Sequence, residues 1–338
     1  MASDQSALVN WIQYLSARVT AMGLTACDPE VNLRHAAFIG DIMYRLDRRH
    51  RQRTIEHLRI AFPELSPPQR ERLARASFEH LVQLVVEVCH APRRIHRDSW
   101  SRRLQLTNLA PAIELFISGK PAIMVTGHLG NWEVLGYLLG VIGLRLHAVF
   151  RPLDNPLISD WLFGIRQRRG LQLITKWGAS QQMLDVLDDG GILGFIADQN
   201  AGDNGLFVPF FGRLASTYKS IGLLALKQNV PIVCGSARRI DQSFQYEITV
   251  GDIIYPQQWQ TQPDPLYYIT ARYMRAIEMM IRECPDQYLW MHRRWKSRPR
   301  HERTGAAMPA RLHENIERLP WLDQAELARL LCGARDPQ

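Results

Sequence analysis

The chain has 338 residues, 46% hydrophobic and 22% charged, which is enough apolar mass for one substantial core and argues against a disordered polyelectrolyte. Lys plus Arg outnumber Asp plus Glu by 41 to 33, a formal +8 that suits polyanionic partners: nucleic acid, anionic lipid headgroups or a phosphorylated substrate. The five cysteines are scattered and form no CxxC pair, so the composition excludes a disulfide framework or a cysteine zinc site and fits a reducing compartment.

The start of the chain has no basic segment followed by a clean apolar core and a small-residue cleavage site, so no secretory signal is expected. Ala7 to Ala26 is interrupted by Asn10, Gln13 and Arg18, and falls short of the ~20 apolar residues of a transmembrane span. Trp11, Ile12, Leu15, Val19 and Met22 recur at helical spacing. Such a stripe marks either an amphipathic helix lying in the headgroup layer or a helix packed on the protein's own core. Helical texture continues to about Arg103, through the basic run Arg48, Arg49, His50, Arg51, Arg53. It breaks at Ala61–Pro68, where Ser66 is suited to cap a helix that has Pro67 at its first position.

After Pro111 short apolar runs alternate with helical stretches. Residues 122–126, 146–150, 192–196, 232–234 and 244–250 read as strands, and 132–144, 156–169, 180–187, 216–227 and 266–283 as helices. That alternation predicts an α/β fold with a mixed, mostly parallel sheet flanked by helices, preceded by a helical N-terminal section. The expected division is a helical membrane-docking section over 1–105, an α/β core over 106–300 and a peripheral tail over 301–338.

The densest chemical signal is Gly127-His128-Leu129-Gly130-Asn131-Trp132-Glu133, where the strand ending at Thr126 gives way to a helix. Ligands in open α/β sheets gather at the carboxyl ends of strands, and the two glycines permit a tight turn and close substrate approach. A carboxylate fixes the tautomer of an imidazole and stabilises its protonated form, while the free ring nitrogen takes a proton from an attacking hydroxyl. His128 and Glu133 are candidates for that pair, although a His and a Glu at a helix start can also serve only to cap it. No GxSxG elbow accompanies them, which favours direct attack by an acceptor hydroxyl over an acyl-enzyme.

GHLGNWE resembles the His-x4-Asp/Glu signature of glycerolipid-type acyltransferases, specifically the bacterial lipid A biosynthesis (lauroyl/myristoyl) acyltransferase family. Further blocks follow in that family's order: VFRPLDNPL from Val149, ADQN from Ala197, VPFFG from Val208, and PDQYLWMHRRWK from Pro285. The resemblance covers roughly residues 50 to 300. It implies His128 as base with Glu133 as its partner, and Arg151 and Asp198 in the same site. It also implies an acyl carrier protein thioester (or acyl-CoA) as donor, a hydroxyl of a glucosamine-based lipid A precursor as acceptor, and no metal or tightly held cofactor. Another glycolipid or a lysophospholipid is the alternative acceptor. Substrate contacts are expected from Gly130 and Asn131, from Phe207, Phe210 and Phe211 as an acyl-chain wall, and from Arg293, Arg294 and Lys296 as phosphate grips, with Trp290 and Trp295 at the interface. The family typically begins with a membrane-spanning helix, for which this chain has only the stripe on 7–26. The expected location is the cytoplasmic face of the bacterial inner membrane, peripheral or monotopic, with an anionic surface as partner. No nucleic-acid partner is expected, since no recognised nucleic-acid motif is present.

Overall fold

The structure, a computed structural model, describes residues 7–150, 153–167, 171–175 and 179–331. Four helices come first: α1 (Ala7–Ala26), α2 (Pro29–Leu46), α3 (Arg48–Ala61) and α4 (Pro67–Arg94). Their starts are written locally. Asp28 accepts from the Glu30 amide ahead of α2, Asp47 from the His50 amide ahead of α3, and the Ser66 amide donates to the Gln69 side chain at the start of α4.

The core then runs β1 (Leu104–Thr107), α5 (Ala110–Ile117), β2 (Ala122–Thr126), α6 (Trp132–Val141), β3 (Leu146–Phe150), α7 (Pro156–Gln167), β4 (Gln172–Thr175), α8 (Ala179–Asp188) and β5 (Ile192–Ile196). A hairpin follows, β6 (Leu206–Phe210) and β7 (Arg213–Thr217), then α9 (Ser220–Gln228), β8 (Ile232–Arg239), β9 (Tyr246–Ile254), α10 (Pro256–Trp259) and α11 (Pro265–Glu283). Three short helices close the described chain: α12 (Arg300–Thr304), α13 (Ala310–Glu317) and α14 (Gln324–Leu331).

Seven strands form one sheet in the order β1-β9-β8-β2-β5-β3-β4, and every neighbouring pair is parallel except β8 with β9. This is the mixed, mostly parallel sheet flanked by helices that the sequence predicts. β2 lies inside it, with β5 and β8 on either side, and all five of its residues are buried. Alternate residues serve two cores. Ile123 and Val125 join a cluster with Ile277 and Ile281 of α11, whereas Met124 joins Val134, Leu135 and Leu138 of α6.

Sequence reading missed β1, β4 and the β6–β7 hairpin. The two edge strands are only four residues long and mix polar with apolar positions. The hairpin turn carries Phe211 (φ 52) and Gly212 (φ 67), a two-residue connection with both residues left-handed. Phe211 tolerates that backbone because its amide donates to the buried Glu278 carboxylate at 2.8 Å. The helix expected from 216 starts only at Ser220, since Ser216 and Thr217 belong to β7.

The helical section packs directly on the sheet domain. Ser77 Oγ donates to the Tyr288 carbonyl, and Gln83 Nε2 to the Gln242 side chain at 2.7 Å. The segment after residue 300 also contributes to the core, burying Ile316, Leu319 and Leu330 in the same cluster as Phe210. Gly40 sets the crossing of α2 over α4, because a Cβ there would stand 2.4 Å from Glu79 Cα. Gly40→Ala is therefore expected to destabilise the fold by about 1–3 kcal/mol through overpacking against backbone. Chemical denaturation would read this; an unchanged midpoint would show that the two helices separate freely.

Candidate active site

The loop from Gly127 to Asn131 leaves the carboxyl end of β2 and enters α6. Asp198, just beyond the neighbouring β5, reaches across to it with both oxygens. Oδ2 accepts the His128 backbone amide at 2.9 Å, and Oδ1 lies 2.7 Å from His128 Nδ1. Burial alone would raise the Asp198 pKa. The imidazole charge and the bonds from its ring and amide outweigh that, with His292 assisting, and hold the carboxyl well below the usual range. An ionised Asp198 only accepts, so Nδ1 carries a ring proton and Nε2 is the ring nitrogen turned away from the acid. Nε2 is approached by the Gln199 side-chain amide at 3.4 Å. The ring packs edge-on between Trp132 (centroids 4.8 Å) and His292 (4.4 Å).

The pairing of His128 with Glu133 expected from spacing is not the contact that forms. Glu133 faces Arg166 of α7, which donates through Nε at 2.7 Å and Nη2 at 2.5 Å. A five-residue offset carries Glu133 past the turn onto α6, while Asp198 reaches the ring from the adjacent strand end. The Glu133–Arg166 pair lines two clefts. One, of about 100 Å³, is walled by Met124, Gly194, Ile196, Ala148 and Leu173 from the sheet and by Trp132 and Gly136 from α6. The smaller one lies against Val88 and Ala91 of α4.

Every amide and carbonyl from His128 to Asn131 that joins the loop to its surroundings meets a fixed partner. The His128 carbonyl accepts from Leu289, the Gly130 amide donates to the Gln287 carbonyl, and the Asn131 amide donates to the Ala237 carbonyl. His80 Nε2 bonds the Gly130 carbonyl at 3.0 Å. Gly130 has φ 55, and a Cβ would stand 2.1 Å from Ala237 O, so only glycine fits. Asn131 is fully buried: its Oδ1 caps α6 at the Val134 amide, and its Nδ2 donates to Glu87 Oε2 at 2.6 Å. Glu87, itself buried, pairs with Arg239 at 2.8 Å. Gly130 and Asn131, expected to touch substrate, are thus committed to holding the loop.

The remaining expectations divide. Phe210 and Phe211 are buried among Phe62, Trp290 and Trp295, so they build core rather than an acyl-chain wall, and Phe207 is half-buried. Trp290 and Trp295 are themselves buried, not interfacial. Arg294 is 2% exposed and spends its guanidinium on the Ser216 carbonyl and on Thr217 Oγ1, which leaves no face for a phosphate. Arg293 and Lys296 are exposed. Arg151 lies outside the described residues. Nothing in the sequence singles out Glu87 or Arg166, and Gln199 stands there only as part of the ADQN block. Asn155, within the second quoted block, caps α7 through the Leu157 amide and donates to the Asn10 carbonyl, tying α7 to α1.

A mostly parallel sheet carries a buried His–Asp pair at the end of an interior strand, and Trp132, packed on that histidine, lines an apolar cleft. The chain belongs to the bacterial lipid A biosynthesis acyltransferase family, whose model matches residues 2–297, and it is an acyltransferase. It is similar to the lipid A biosynthesis lauroyltransferase of Escherichia coli (strain K12), with 26% identity over 77% of this chain and 84% of that one. The palmitoleoyltransferase of the same strain is 27% identical over 72% and 78% of the two chains, and the myristoyltransferase 22% identical over 85% and 88%.

Two histidines, His80 buried and His292 half-buried, make stability sensitive to acid. Burial lowers His80 to about 3, with the Arg239 charge adding to it and the Gly130 carbonyl opposing it. Burial lowers His292 to about 4, with the His128 charge adding to it and Asp198 opposing it. Unfolded histidine titrates near ~6.5, so below that pH the unfolded chain binds protons that these two rings refuse in the folded state. Melting temperature is therefore expected to fall as pH drops from about 6.5 towards about 4. A flat or rising curve over that window would contradict the neutral form of both rings in the folded state.

Proposed function

We propose that the protein transfers a fatty acyl group from an acyl carrier protein thioester to a hydroxyl of a glucosamine-based lipid A precursor, with His128 as general base. The observation that carries this reading is the Asp198 contact at His128 Nδ1, which turns Nε2 away from the acid, on a ring packed against Trp132 of the apolar cleft wall. The acceptor hydroxyl gives its proton to Nε2 while its oxygen attacks the thioester carbonyl. The carbonyl π pair moves onto oxygen; on collapse the C–S bond breaks and His128 returns the proton to the departing thiolate. Asp198 keeps the ring oriented and stabilises it when protonated. Glu133 acts through Arg166 as part of the cleft wall, and Arg151, Arg293 and Lys296 meet acceptor phosphates.

Membrane association at the cytoplasmic face of the inner membrane belongs to the same reading. No helix among the described residues is long and apolar enough to cross a membrane. The stripe on α1 is not packed on the core: Trp11 is 51% exposed and Val19 67%, and Ala21 is the buried residue of the helix. Polar residues instead fix α1 to α7, with Arg18 over the Trp161 ring and Asn155 bonded to Gln13. This arrangement supports an α1 that lies in an anionic headgroup layer. Trp11→Ser combined with Val19→Ser is expected to cut cosedimentation with phosphatidylglycerol-containing vesicles several-fold while the melting temperature holds. Undiminished binding would place the contact elsewhere.

For the chemistry, His128→Ala and Asp198→Asn should each lower kcat by about 10²–10⁴-fold with the fold retained. The assay is acyl transfer from lauroyl-acyl carrier protein to an underacylated lipid A precursor. Transfer to lysophospholipid but not to that precursor would favour the alternative acceptor. Wild-type turnover in the His128→Ala variant would remove the mechanism.

A further inference from the structure

The described surroundings of His128 hold two neutral hydrogen-bond donors that the general-base step does not use. We propose that the side chains of His292 and Gln199 are catalytic residues that donate hydrogen bonds to the thioester carbonyl oxygen as it becomes an oxyanion. This inference rests on the acyl-transfer reading above.

The geometry supplies the reason. With Nδ1 bound to Asp198, the reacting hydroxyl must approach Nε2, so the carbonyl under attack comes within a few ångströms of whatever flanks that nitrogen. The Gln199 amide stands 3.4 Å from Nε2, and the His292 ring packs on the imidazole itself, with its centroid 4.4 Å from that of His128. Gln199 is exposed, so its side chain has room to turn from His128 Nε2 to a bound carbonyl. Its backbone is held: Arg294 donates to the Gln199 carbonyl, and the next residue, Asn200, exchanges bonds with Ser297. His292 is fixed to the same frame, because its amide bonds Leu289 O and Leu289 N bonds the His128 carbonyl. Base and donors are therefore tied together through backbone.

Charge decides what kind of donor His292 is. Its pKa near 4 leaves it a neutral imidazole, with one N–H to give. A second imidazolium beside His128 would oppose protonation of the base. A neutral donor stabilises the oxyanion without that penalty, as does the Gln199 carboxamide. Donors held in place before charge develops need little reorganisation, and each is worth roughly 10²–10³-fold in kcat.

The test uses the full-length protein, lauroyl-acyl carrier protein and an underacylated lipid A precursor. Gln199→Ala changes an exposed side chain, and His292→Phe keeps a ring against His128 while removing the N–H. Each is expected to lower kcat by at least tenfold with donor KM within threefold of the parent, and His292→Gln is expected to regain at least threefold over His292→Phe. Parent-like kcat in both Gln199→Ala and His292→Phe overturns the proposal, as does a His292→Gln variant no better than His292→Phe, which would mean the ring only packs. If His292→Phe does not fold, Gln199→Ala decides alone. Failure here is separable from failure of the function itself: in the former, the parent transfers acyl groups and His128→Ala does not, while these variants resemble the parent.

Discussion

The Asp198 carboxylate organises this molecule. It is a charge taken fully out of water, which burial by itself would disfavour strongly, and it is held ionised by the ring and the backbone amide of one residue. One oxygen sets the height of the loop after β2, and the other sets the tautomer of the base. Because β2 and β5 are in parallel register, their carboxyl ends lie side by side, and a residue just past one strand can span to a residue just past the other. Sheet register thus sets the orientation of an imidazole in a single contact.

The loop cannot be held from one side only. Its far side is secured by a buried ion pair, Glu87 on α4 with Arg239 on β8, whose carboxylate also engages Asn131. Breaking either partner would leave an uncompensated charge in the interior, which is far more costly than the pair is stabilising. α4 therefore completes the site as well as packing beneath it: His80, Gln83 and Glu87 all point from that helix into the network behind the base. The same helical section carries α1, so the apolar stripe presented outward and the helix that fixes the His128 loop belong to one section of the chain.

What was legible in the residues varied with how local the cause was. The start of α4 at Ser66 and Pro67, the apolar run of β2 and the helix after Asn131 all follow from neighbours a few positions apart. The hairpin at Phe211 did not follow, because a phenylalanine in a left-handed turn needs Glu278 from a helix some 67 positions away to accept its amide. The aromatic run Phe207–Phe211 looked like a wall for a hydrocarbon and is largely core, since burial depends on what packs over it. Arg293, Arg294 and Lys296 read alike as cations, yet Arg294 turns inward to carbonyl oxygens while its neighbours stay in water.

By itself the sequence determined the fold class, the strand and loop that carry His128, and the family to which the chain belongs, because periodicity, glycine placement and block order are properties of the linear chain. It also placed both carboxylates, Glu133 and Asp198, near the site. Only the tertiary structure decided between them. Glu133 is five residues from His128 along the chain but on a helix that turns it toward Arg166; Asp198 is 70 residues away and adjacent in space. Which acid serves a base is fixed by the register of parallel strands, and that pairing is set by packing across the sheet.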